Sequence, residues 1–274
     1  MNYRFYYPEW NSREDVCSKY PQIKEITKEP IAFWYGVGPK RTIRKTKNSI
    51  QRLLQRAHPY LPVLVVYSIP NRDLGHHSKG GAQSDDEYLE FIQEFCNSLG
   101  DKSPIVIYEP DCIPHMERMG VVDGMDRMRL VKASIELLSR TNASVYMDIG
   151  HPHWLSVSKS VSYLNLCDVH KIRGFALNTS NYYSTESCFK YGKRLNNTHF
   201  VIDTSRNGNG EGSEHFNPYG RAIGVPPTTQ TCDEIVDAYL WIKVPGESDG
   251  NINGGSKAGR FNHNLALDLI HNKK

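Results

Sequence analysis

The sequence predicts an α/β chain folded as a closed or nearly closed β/α barrel with about seven parallel strands. Three observations predict it. Short β-rich runs alternate with stretches of helical periodicity along the whole chain. The runs are nearly continuous in apolar residues, as strands buried on both faces are. No GxGxxG follows the first run, which argues against an open dinucleotide-binding sheet. The 274 residues contain no internal repeat and no low-complexity linker, so a single domain over residues 1–274 is expected.

The β-rich runs are Ile31–Gly36, Pro62–Ile69, Pro104–Glu109, Ala143–Ile149, Ile172–Asn178, His199–Thr204 and Val236–Val244. Between them lie amphipathic stretches. One carries Ile43, Ile50, Leu53 and Leu54, and a second carries Tyr88, Phe91, Ile92, Phe95 and Leu99. A third carries Met125, Met128, Ile135 and Leu138.

Composition excludes several classes. With 39% hydrophobic and 23% charged residues, the chain can bury a core without metal or disulfide staples. A net charge of +3 is too weak to imply nucleic acid, and the basic stretch from Lys40 to Lys47 reads as a solvated helix face. No apolar run approaches the ~20 residues that span a bilayer. The opening MNYRFYYPEW lacks the basic-then-apolar pattern of a signal peptide. The cysteines at 17, 96, 112, 167, 188 and 232 form no CxxC pair and have no histidine at metal spacing. No metal and no cofactor is expected.

Active sites of β/α barrels gather at the C-terminal ends of the strands. Those ends present Trp34, then Tyr67 with Asn71, Arg72 and Asp73, then Glu109 and Asp111. Asp148 follows with His151 and Trp154, then Asn178 and Asn181, then Asp203 with Arg206, and finally Lys243, Glu247 and Asp249. The plain alternative is that each aspartate caps the next helix, since Asp is favoured there. Aspartates at four exits, with tryptophans beside them, favour a convergent site instead.

Several carboxylates without Cys/His spacing suit proton transfer at an acetal or a hard-cation site. The aromatics favour the first, because Trp34, Tyr67 and Trp154 offer flat faces to pyranose rings. An inverting glycosidase needs one carboxyl kept protonated and a partner that activates water, ~6.5–9.5 Å away. Crowded aspartates supply the first need, since like charges disfavour ionisation.

At these same residues the sequence resembles glycoside hydrolase family six, the cellobiohydrolases and endoglucanases of cellulose breakdown. The matching segments are Val66-Tyr-Ser-Ile-Pro-Asn-Arg-Asp73, Ile107-Tyr-Glu-Pro-Asp111, Tyr146-Met-Asp-Ile-Gly-His151 with Trp154, and Asn178-Thr-Ser-Asn-Tyr182. Val201-Ile-Asp-Thr-Ser-Arg-Asn-Gly-Asn-Gly210 and Asp237-Ala-Tyr-Leu-Trp-Ile-Lys-Val-Pro-Gly-Glu-Ser-Asp-Gly250 are the closest two. The resemblance implies a distorted barrel of seven parallel strands and inverting hydrolysis of internal β-1,4-glucosidic bonds.

Carried over by motif, Asp111 resembles the family's general acid. Asp73 resembles the aspartate that raises the acid's pKa and assists a water-mediated base step, and Asp249 resembles the candidate base. Asp148 and Asp203 match supporting acidic positions, and Tyr67 matches the residue that crowds the distorted sugar. Trp34, His151, Trp154, Asn178, Lys243 and Glu247 match substrate-binding positions, and Ser78 a water-positioning hydroxyl.

The sequence departs from the family in three ways. Leu74, Met119, Phe216 and Asn251 stand where bacterial members carry two disulfides, so at least four of the six cysteines are expected to be free. His215 replaces a sugar-stacking tryptophan, which weakens one subsite. The loops Leu74–Ala82 and Asn251–Phe261 are short, and no cellulose-binding module is expected among these 274 residues, which resembles open-cleft endoglucanases rather than exo-acting cellobiohydrolases. The expected partner is a β-glucan or cello-oligosaccharide, with no nucleic acid, no membrane and a monomeric chain. The lost tryptophan and bridges leave a catalytically weak glucan-binding relative as the rival. The lost bridges hint at a reducing compartment, whereas an insoluble polymer argues for secretion, which is the expectation here.

Overall fold

The computed structural model describes residues 4–8, 14–38, 41–76, 78–195, 198–211 and 216–273. Seven strands form one sheet in sequence order, every neighbouring pair parallel. They are β1 (Ala32–Tyr35), β2 (Val63–Val66), β3 (Ile105–Tyr108), β4 (Ser144–Asp148), β5 (Gly174–Leu177), β6 (His199–Asp203) and β7 (Val236–Leu240). Each falls inside one of the β-rich runs. The sheet curls until β1 nears β7. There Ala32 N donates to Trp241 O at 3.1 Å, and Trp34 Nε1 to Ile242 O at 2.9 Å.

The curl separates two cores. Ala32, Val63, Val65, Ile105, Ile107, Tyr146, Ala176, Val201, Ala238 and Leu240 fill the barrel interior. The alternate residues, such as Leu64, Val66, Val106, Tyr108, Phe175 and Phe200, face the surrounding helices. This period of two places the site. Trp34, Tyr67, Asp148, Asn178 and Asp203 each lie two positions past an interior residue, so they sit on top of the filled barrel.

The helices Ile43–Ala57 and Asp85–Leu99 bury the faces read from the sequence. Thr42 and Ser84 cap them, accepting the N–H of Lys45 and Glu87. The helix Val121–Leu138 corrects the sequence reading. Met125 is exposed, and the buried face runs through Arg127, Leu130, Val131, Ser134, Ile135 and Leu138. Between β6 and β7 no helix occurs among the described residues; the chain crosses as a long loop that carries Arg206 and Asn217. All six cysteines are free. No described helix is long and apolar enough to cross a membrane.

Candidate active site

The strand exits open into one cleft of about 940 Å³. Trp34, Tyr67, Asp73, Ser78, Asp111, His151, Trp154, Lys243, Glu247 and Asp249 all line it. His215 lies outside the described residues. Asp148, Asp203 and Asn178 do not line the cleft; they are buried beneath it.

Those three tie the exits together. Asp148 Oδ1 accepts the N–H of Asp111 at 2.9 Å and of Gly150 at 3.0 Å, which joins the β3 exit to the β4 exit. Gly150 has φ +80°, and a Cβ there would come within 2.7 Å of Pro114 Cγ, so this approach requires glycine. Asp203 accepts Ser180 N at 2.9 Å and Lys243 N at 3.0 Å on Oδ2, and Ser205 N at 2.9 Å on Oδ1. It thereby links the exits of β5, β6 and β7. Asn178 requires a correction: its amide is used by the protein itself. Oδ1 accepts Tyr183 N at 3.0 Å, while Nδ2 donates to Tyr183 O at 3.0 Å and Asp203 O at 2.9 Å. It holds a loop rather than a sugar.

Asp111 occupies the N-cap position of the short helix Cys112–His115, with φ +66° and no capping hydrogen bond from its side chain. The capping alternative therefore fails at this residue. Burial pushes its carboxyl well above the ordinary 3.8, and the charges of Asp148, Asp73 and Asp249 push the same way. Asp148 is raised as well, chiefly by burial.

Asp249 is the opposite case. Burial alone would raise it, but Arg206 and Lys243 outweigh burial and hold it well below the ordinary range. Its Oδ2 accepts Arg206 Nη1 at 2.7 Å, Tyr182 Oη at 2.7 Å and Asn217 N at 3.1 Å, and Lys243 Nζ lies 3.3 Å from Oδ1. Two carboxyls in one cleft are thus shifted in opposite directions.

The loop carrying Asp73 is fixed from behind. Its backbone has positive φ at Asn71, Asp73 and Leu74, a conformation that persists only where the surroundings enforce it. Arg127 Nη2 donates to Pro70 O at 2.7 Å, and Arg72 donates to Tyr67 O at 2.6 Å and Ser78 O at 2.8 Å. Ser78 N in turn donates to Asp73 Oδ2 at 2.7 Å. Glu109 is fully buried and accepts Ser68 N at 2.8 Å and Tyr88 Oη at 3.0 Å, and burial raises its carboxyl to about 7. Tyr67 lines the cleft with Asp111, its phenol pushed up by burial and by Asp111 and Asp73, with Trp34 edge-on at 5.3 Å.

The sequence reading gave no role to Arg127, Arg206, Glu109 or Tyr182. A signal existed for Arg127, since positions 127, 130, 131, 134, 135 and 138 share one helix face. Tyr182 ends one of the matching segments, but nothing local reveals its role, because its partner Asp249 is remote in sequence.

A strand-end cleft walled by aromatic rings, with two carboxyls shifted in opposite directions, fits a carbohydrate-cleaving class of enzyme. The comparisons agree. The family model "Glycosyl hydrolases family 6" matches residues 9–273, and the chain belongs to that family. Endoglucanase A of Cellulomonas fimi is 39% identical over 92% of this chain, and Endoglucanase 1 of Streptomyces halstedii is 38% identical over 77%. The chain spans 56% of the first relative's length and 69% of the second's. The endoglucanase Cel6 of Mycobacterium tuberculosis, solved with methyl-cellobiosyl-4-deoxy-4-thio-β-D-cellobioside, superposes with a TM-score of 0.92 at 34% identity. That match covers 99% of this chain and 98% of the other.

Proposed function

We propose that the chain is an inverting endo-β-1,4-glucanase acting on cellulose or related β-glucans. The observation that carries this reading is that Asp111 and Asp249 line one cleft in opposed environments: Asp111 is buried with Asp148 and Asp73 nearby, which push its carboxyl up, whereas Asp249 is paired with Arg206 and Lys243, which hold its carboxyl down. Asp111 donates its proton to the glycosidic oxygen as the bond breaks. A water attacks the anomeric carbon from the opposite face, inverting its configuration. Asp249, held by Arg206, Lys243 and Tyr182, is a weak proton acceptor and supplies fixed negative charge near the oxocarbenium-like sugar. The attacking water's proton passes through solvent to Asp73, which is tethered by Ser78 N. Trp34, Trp154 and His151 hold the glucan chain, and Tyr67 crowds the sugar that must distort. The relatives named above, at 34–39% identity, are called endoglucanases, which favours internal cleavage over release of cellobiose from chain ends. An insoluble polymer substrate places the reaction outside the cell, so export goes with this reading.

Proton NMR of the first products from barley β-glucan tests the mechanism. The expected result is the α-anomer before mutarotation; an initial β-anomer would refute inversion. Absence of reducing-sugar release would support a glucan-binding protein instead.

A further inference from the structure

The β4–β5 side of the cleft carries a row of rings longer than the substrate positions assigned above. His115 meets Trp154 edge-on at 5.4 Å, and Trp154 meets His151 at 5.1 Å. His151 stacks on Tyr183 at 4.2 Å and 25°, and Tyr183 stacks on His153 at 4.8 Å and 18°. Trp154, His151, Tyr183 and His153 all line the same cleft. His153 is the outermost of them, its side chain 57% exposed, with Glu211 Oε2 lying 3.7 Å from its Nε2. Ser187 Oγ donates to the other Glu211 oxygen and fixes that carboxylate.

Tyr183 is held more firmly than a surface loop residue needs to be. Asn178 binds both its N–H and its carbonyl, and Asn207 Nδ2 donates to the same carbonyl at 3.0 Å. A rigidly placed ring loses little freedom on binding, which is how flat recognition surfaces gain affinity. The end of the row also offers a charged acceptor, Glu211, for ligand hydroxyls. Tyr183 is stacked by His151 and by His153, so it backs the row, and the exposed His153 at its end is the ring that can meet a ligand. A flat ring beside an acceptor suits a pyranose, which presents C–H bonds on its faces and hydroxyls at its edge.

We propose that His153, backed by Tyr183 and flanked by Glu211, forms an additional glucosyl-binding subsite beyond Trp154, extending the glucan track along the β4–β5 rim. This rests on the glucanase reading, and its occupant is the continuing chain already bound at Trp154. Asn178 then serves substrate binding at one remove, by positioning Tyr183.

The test uses the full chain with Asp111→Asn to suppress hydrolysis, and calorimetric titration with cellotriose, cellotetraose and cellohexaose. Adding His153→Ala should weaken cellohexaose by about threefold to tenfold, the range of one aromatic contact. Cellotriose and cellotetraose should change less than twofold, and His153→Tyr should restore the lost affinity. Equal loss at every length would overturn the subsite, since that is what a mere brace on His151 would give. So would no loss at any length. Failure of all three oligosaccharides to bind before His153 is changed would instead overturn the glucanase reading, and this inference with it.

Discussion

On the proposed reading, Asp111 protonates the departing oxygen. Its proton matters most when the departing group is a sugar hydroxyl, a poor leaving anion, and little when a phenol leaves unaided. Asp111→Asn should therefore lower turnover on β-glucan by roughly 10²–10⁴. On an aryl cellobioside with an acidic phenol the loss should be far smaller, and parallel steady-state kinetics on the two substrates will read the difference. Equal losses would remove Asp111 from the acid role. Its environment was legible in the sequence as a cluster of aspartates at strand ends. The division of labour among them was not. Whether an aspartate points into the cleft, as Asp73 does, or down into a web of backbone N–H groups, as Asp203 does, depends on loop φ angles that neighbouring residues do not reveal. Asn178 was misread for the same reason, since an amide at a strand end can serve either solvent or its own loop.

The elements repeat this contrast between regular and irregular structure. The seven strands were readable because parallel strands buried on both faces appear as unbroken apolar runs, and period two then fixes which residues cap the barrel. The β6–β7 crossing was unreadable, because its order comes from side-chain bonds to a distant loop. Phe216 and Asn251 stand where the family resemblance implies a disulfide, and hydrogen bonds occupy that seam instead. Asn217 Nδ2 donates to Gly250 O at 2.9 Å and Ile252 O at 3.0 Å, and its Oδ1 accepts Asp249 N at 2.8 Å. Asn253 Nδ2 adds a bond to Phe216 O at 3.1 Å. Buried carbonyls left without donors cost about 1–3 kcal/mol each. Asn217 also has φ +45°, which alanine tolerates poorly. Asn217→Ala should consequently lower the urea midpoint and, by loosening Asp249, lower kcat as well. An unchanged midpoint with unchanged kcat would show that this seam does not hold the site.

Across the whole molecule, buried carboxyls couple stability to pH. The carboxyl of Glu109 moves from an ordinary 4.5 to about 7 on burial, so the fold favours its protonated form. Its contribution is whole below about 4.5 and is lost as pH rises through about 7. Asp111, Asp148 and Asp203 shift in the same direction. Asp249, shifted down, contributes above its ordinary 3.8 and loses that contribution as pH falls. The thermal midpoint should thus drop between about pH 5 and pH 8, and Glu109→Gln should flatten part of that slope; scanning calorimetry measures both. Equal slopes in the two proteins would leave Glu109 out of the pH response. The same cleft decides which bonds of a polymer are reached. The bordering segments turn back on themselves, Arg72 bridging to Gly80 and Glu247 to Phe261. Across the cleft the rings of His76 and Phe216 approach to 6.5 Å between centroids. On the proposed reading, segments this short give the middle of a chain a side entry, whereas a roofed tunnel admits only an end. Each internal cut halves a polymer while creating one reducing end. Viscosity of carboxymethylcellulose should therefore collapse early, well ahead of the rise in reducing sugar. Cellobiose as the sole early product, with viscosity nearly constant, would mean that His76 and Phe216 close over the chain and that cleavage proceeds from its ends.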